Sequence, residues 1–132
     1  MSSVERPASK PRPVYLNMAQ IRQPLPAIVS ILHRISGALL FLVGVPLLLA
    51  ALQASLGSSQ SFESFRAAMT TPLAKIVLLG LAWAYLHHFC AGLRYLMLDL
   101  LQFIDLKPAR RSSAVVLIAS LVLTLLVAVR LW

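Results

Sequence analysis

Acidic residues are scarce in this chain: Glu5, Glu63, Asp99 and Asp105 are the only four among 132 positions. So few carboxylates leave little scope for acid–base hydrolysis, which relies on a positioned acid and base. Cysteine is scarcer still. The single thiol, Cys90, forms no internal disulfide and reads as a small buried apolar residue. There is no zinc-ligand spacing, no glycine-rich phosphate loop, and no serine or cysteine nucleophile beside a base. Charge of either sign is sparse too, at 12% of residues, against about 25% in a soluble domain. A soluble globule of this size would have too few charges to cover its surface.

What fills the chain instead is apolar. Hydrophobic residues make up 59%, with a mean hydropathy of +0.83. Three stretches, roughly 35–56, 73–98 and 114–132, are long enough to consider as membrane spans, since a helix needs about 20 residues to cross the hydrocarbon. The fold class expected is an all-α membrane protein with three transmembrane helices, at about 30–56, 72–102 and 112–132. Residues 1–29 read as a cytoplasmic N-terminal arm and 30–132 as the membrane domain. Three helices enclose little interior, so the sequence predicts a larger bundle completed by a second subunit.

The net charge of +8 raises nucleic acid as a partner, but the placement of the charges argues against it. Arg6, Lys10, Arg12, Arg22 and Arg34 precede or open the first span, and Lys107, Arg110 and Arg111 lie between the second and third. The first connection carries only Arg66 and Lys75 against Glu63. By the positive-inside rule the N-terminus and second loop are cytoplasmic. The basic excess sets topology, and no nucleic acid is expected.

Prolines 7, 11, 13, 24 and 26 make a long helix unlike the arm, which also lacks the apolar core of a signal peptide. Pro46 falls inside the first span and predicts a kink or local distortion. Residues 57–71 read as a polar loop with a short amphipathic turn at 62–69, Thr71-Pro72 as the start of the second helix, and 105–113 as a cytoplasmic loop. Trp83 and Trp132 read as interfacial anchors. No internal repeat or low-complexity tract is present.

Two segments carry polar groups at membrane depth. In A-Y-L-H-H-F-C-A-G-L-R-Y-L-M-L-D at 84–99, two histidines and an arginine lie within a span, and such residues usually mark function because they are costly there. His88, Gly92, Tyr95 and Asp99 share one helical face; His87 points about 100° away and shares a face with Arg94. Imidazole is an axial ligand for haem iron, and a glycine one turn away leaves room for a flat macrocycle, which favours His88 over His87. The competing reading is a hydrogen-bonded histidine with a small-residue helix contact at Gly92.

In S-I-L-H-R-I-S-G at 30–37, Ser30, His33, Arg34 and Gly37 fall at i, i+3, i+4 and i+7. That stripe offers a hydroxyl, an imidazole, a guanidinium and a gap for close approach, which suits an anionic or carbonyl-bearing ligand at the interface. The competing reading is an arginine that snorkels to headgroups beside ordinary helix-start residues. Depth brings the stripes together. His88 lies about 16 Å deeper than Asp99, and Arg34 opens the antiparallel first helix at the same membrane face.

These two motifs, with R-P-V-Y-L-N at 12–17, resemble the larger cytochrome b membrane-anchor subunit of bacterial succinate dehydrogenase, respiratory complex II. The resemblance covers nearly the whole chain. It implies a four-subunit complex in the bacterial inner membrane, made of a flavoprotein subunit, an iron–sulfur subunit and two small anchors in membrane lipid. The anchors share haem b and reduce quinone, taken here as ubiquinone. By the resemblance His88 matches the haem axial ligand, the second ligand coming from the other anchor. His33 and Arg34 match groups near the haem propionates, and Ser30 and Arg34 match quinone-site residues. Tyr95 stands where close relatives have a second histidine; its phenol retains a donor. The function expected is transfer of electrons from succinate to ubiquinone, with no activity from this chain alone. The alternatives are a fumarate reductase anchor working in reverse, or a small proton or ion transport subunit.

Overall fold

The computed structural model describes residues 21–101 and 105–132, and every element in them is helical. The N-terminal motif at 12–17 and most of the expected arm lie outside the described residues. Three helices are long and apolar enough to cross a membrane: Leu25–Gly57, Pro72–Leu101 and Leu106–Leu131. These are the first, second and third spans.

The first span opens at Leu25, ahead of the expected residue 30. Pro24 caps it in an extended conformation and Pro26 sits in its first turn, where a missing N–H breaks no helical bond and the fixed φ suits the helix. Interior Pro46 is different, because its ring crowds the carbonyl of residue 42 and its nitrogen donates nothing. The helix answers with a π-helical turn at Leu40–Gly44 and continues as an α-helix from Val45 to Gly57. The expected distortion at Pro46 is this widened turn.

Ser58 then swings into an extended conformation (φ −162°, ψ 164°) and ends the span. Its hydroxyl accepts the Ser61 N–H at 3.1 Å, and its own N–H donates to Ser61 Oγ at 2.9 Å. This reciprocal capping box starts a connecting helix, Ser59–Met69. The polar loop expected at 57–71 is therefore mostly helix. The third span likewise begins at Leu106, not 112, with Asp105 as its N-cap residue. Pro108 falls in its first turn, so the K-P-A-R-R run expected as loop is helical.

The second span packs against both others, and Leu25–Leu39 also touches the third. The interior is small and unusually polar. Val29, Ala84, Ala91 and Val116 are its buried apolar residues, while Ser36, His87, Arg94, Ser113 and Ser120 are buried polar ones. Large aliphatic side chains such as Leu42, Leu48, Ile76, Ile118 and Leu125 are exposed instead. That distribution suits a chain whose surroundings are hydrocarbon, where small residues let helices approach and polar groups must find partners inside.

Candidate functional site

The first and second spans meet at two histidines. His33 and His88 stack face to face, with ring centroids 4.2 Å apart and planes 12° from parallel. Gly37 permits the approach. A Cβ on it would lie 2.7 Å from His88 Cε1 and 3.2 Å from Nδ1, closer than real side chains come. The gap read at Gly37 is filled by His88 itself. Gly92 is less constrained, since a Cβ there would sit at an ordinary 3.7 Å from His33 Nε2. The glycine that the packing demands is on the first span.

One nitrogen of His88 is already engaged. Nδ1 lies 3.0 Å from the His33 carbonyl oxygen and 3.3 Å from Ser36 Oγ. A carbonyl only accepts, so Nδ1 carries the proton and donates it there. Ser36, 2% exposed, donates its own hydroxyl to the same carbonyl at 2.9 Å. Among the described residues no hydrogen bond reaches His88 Nε2. That nitrogen keeps its lone pair, as a metal-ligating imidazole requires. Tyr95 stands beside the pair, its ring 5.3 Å from that of His33 and tilted by 51°.

His87 and Arg94 face the other way, onto the third span, as their shared face predicts. His87 is fully buried, stacks on Trp83 at 5.5 Å, and has Ser120 Oγ 3.5 Å from Nδ1. Arg94 is 7% exposed and donates from Nε to Ser112 Oγ at 2.9 Å and from Nη2 to the Ala109 carbonyl at 3.3 Å. Among the described residues no carboxylate pairs with it, so this hydroxyl and this carbonyl solvate the guanidinium. Hydrogen bonds to a charged group contribute about 1.5–3 kcal/mol each. Arg94→Ala, which removes both, should therefore loosen the third span by roughly 3–6 kcal/mol, read as a lower unfolding temperature of the detergent-solubilised protein. An unchanged temperature would show the contact to be incidental.

The stripe of the first span divides. His33 and Gly37 turn to the second span, Ser30 is half-buried, and Arg34 is exposed. Neither Ser30 nor Arg34 makes a side-chain hydrogen bond among the described residues. Consecutive residues are about 100° apart on a helix, so a neighbour that covers His33 leaves Arg34 on the outer flank. The structure brings His33 and His88 together and keeps Ser30 and Arg34 beside them, free to meet something outside this chain. Asp99 is exposed as well.

Ser36 and Ser120 are not among the residues the sequence singles out. Ser36 lies three residues after His33, and Ser113, Val116 and Ser120 repeat at i, i+3 and i+7, which is a buried stripe. That spacing was the available signal. No group of three or more His, Cys, Asp or Glu side chains placed to hold a bare metal ion occurs among the described residues.

Residues 8–127 match the family described as the succinate dehydrogenase/fumarate reductase transmembrane subunit. The chain is 34% identical over 115 residues to the succinate dehydrogenase cytochrome b556 subunit of Paracoccus denitrificans, spanning 87% of this chain and 88% of that one. It is 33% identical over 122 residues to the subunit of the same name from Coxiella burnetii, spanning 92% and 97%. Three apolar spans, paired histidines at membrane depth and similarity along nearly its whole length place the chain in the succinate dehydrogenase/fumarate reductase transmembrane subunit family.

Proposed function

We propose that the chain anchors a succinate:quinone oxidoreductase in the bacterial inner membrane, holds haem b through His88, and forms part of the quinone-reduction site with Ser30 and Arg34. The observation that carries this reading is the state of His88: Nδ1 is committed to a carbonyl and Nε2 is left with its lone pair. The residues present therefore fit a haem ligand. Haem b, when bound, supplies a one-electron store beside the quinone site.

The other residues have definite tasks. Gly37 and the His33 carbonyl fix the imidazole in one orientation, so Nε2 is presented without a rotameric search. His33 stacks on one face of that ring and Arg34 follows His33 in sequence; these are the two groups that would meet the carboxylates of a propionate-bearing macrocycle. The guanidinium of Arg34 offers five donors in a planar fork. Where negative charge grows on a quinone oxygen, that guanidinium stabilises it, most strongly in a dry site. Ser30, one turn earlier, adds a weaker hydrogen bond.

The three spans enclose only a small interior, which a second anchor subunit would enlarge while supplying the other haem ligand. Electrons arrive from an iron–sulfur subunit docked at the membrane face where Arg34 lies, and a flavoprotein subunit oxidises succinate. Complex purified through a tag on this chain should carry haem b alongside flavin. Full quinone reductase activity in complex free of haem protein would remove the haem part of the proposal.

The charges support a cytoplasmic assignment for this face. Arg22 and Arg34 open the first span and Lys107, Arg110 and Arg111 open the third, so both openings are cytoplasmic. A periplasmic reporter should be inactive when fused after Lys107 and active when fused within 57–70. The reverse pattern would place the quinone site on the wrong side for its electron donor.

A further inference from the structure

The polar corner formed by His33, Ser36 and His88 holds more donors than its acceptor serves well. In a regular helix the carbonyl of residue 33 already accepts the N–H of residue 37. The same oxygen takes the Ser36 hydroxyl at 2.9 Å and the His88 Nδ1–H at 3.0 Å. A carbonyl has two lone pairs, so these donors compete, and each bond is weaker than it would be alone. We propose that Ser36 is a positioning residue that sets the electron affinity of the haem held by His88, by sharing the carbonyl that orients this ligand. The proposal rests on His88 being the ligand.

The chemistry has a definite sign. A histidine ligand that donates its second N–H strongly gains imidazolate character and gives more electron density to the metal. More density favours the oxidised iron and lowers the reduction potential, one of the levers by which a protein tunes haem. Ser36 draws on the carbonyl and so weakens the His88 bond, holding the potential up. The hydroxyl has an opposing influence too, since its oxygen lies 3.3 Å from Nδ1 and can accept from it. That separation is beyond the usual 2.7–3.2 Å for N–H···O bonds, whereas the carbonyl oxygen, at 3.0 Å from Nδ1, lies within it. Competition for the carbonyl is therefore the larger effect.

Burial makes the arrangement specific to this side chain. Ser36 is 2% exposed, so in its absence no solvent molecule restores the second donor. Its place three residues after His33 keeps the hydroxyl over that carbonyl through the helix geometry alone.

The test is a potentiometric titration of the haem in the whole purified complex, comparing wild type with Ser36→Ala and Ser36→Thr. Ser36→Ala should retain haem and shift its midpoint potential downward by more than the spread of replicate titrations. Ser36→Thr, which keeps the hydroxyl, should titrate with the wild type. A Ser36→Ala complex whose potential is unchanged or higher overturns the proposal, as does a Ser36→Thr complex that shifts down with the alanine variant. A His88→Ala complex measured alongside separates the two levels of argument. If its haem spectrum equals wild type, the ligand assignment has failed; if that spectrum changes while Ser36→Ala stays at the wild-type potential, only the role of Ser36 has failed.

Discussion

Replacing Arg34 with leucine should lower succinate-driven quinone reduction by about two orders of magnitude, the usual cost of removing one donor aimed at a developing oxyanion. Electron transfer from succinate to an artificial dye should persist, because the flavoprotein and iron–sulfur subunits do not depend on this side chain. The reason lies in the divided stripe of the first span. His33 is turned inward onto His88, while Arg34 is exposed and has no hydrogen-bond partner among the described residues. An arginine that stabilised only the fold would be tied down as Arg94 is. Ser30→Ala should be milder, at about 1–3 kcal/mol for one lost hydrogen bond. Normal quinone turnover in an assembled, haem-containing Arg34→Leu complex would refute the role. Comparison with Arg34→Lys refines the test, since lysine keeps the charge and loses the planar fork of donors.

Much of this arrangement was legible in the residues. Helical periodicity alone separated the face of His88 and Tyr95 from that of His87 and Arg94, and the structure sends the first pair to the first span and the second to the third. The glycine of S-I-L-H-R-I-S-G marked a close approach, which Gly37 provides to the His88 ring. Other features were hidden for physical reasons. Serine is common on membrane helices in many roles, so the partners of Arg94 and His88, Ser112 and Ser36, emerge only when the helices are seen docked. The i, i+3, i+4, i+7 spacing predicts one surface for the stripe of the first span, yet neighbouring residues on a helix diverge, and one packed helix covers only part of the arc. The first and third spans start earlier than the hydropathy suggests, at Leu25 and Leu106, with Pro26 and Pro108 inside their first turns. A proline in a first turn breaks nothing.

The second large effect belongs to the adjacent histidines. His88→Ala should abolish or displace the b-type visible spectrum, because it removes the Nε2 lone pair that the His33 carbonyl leaves available. His87→Ala should keep the haem. His87 is 0% exposed, stacked on Trp83 and beside Ser120 of the third span, with its Nε2 enclosed and unpartnered inside the bundle. Its loss should instead lower stability by about 1–3 kcal/mol, the range for vacating a buried polar site, seen as a reduced yield of assembled complex. The contrast is informative because the two residues are adjacent in sequence yet occupy different faces, with different burial and partners. A His87→Ala complex that lost its haem while His88→Ala retained it would reverse the assignment of faces.

The most direct measurement is the reduced-minus-oxidised visible spectrum of purified membranes carrying wild-type or His88→Ala complex, with the iron–sulfur and flavoprotein subunits quantified in each. The account predicts a b-type band in the wild type that is lost or displaced in the variant while the soluble subunits remain bound. An identical band in both, at equal subunit content, would contradict it.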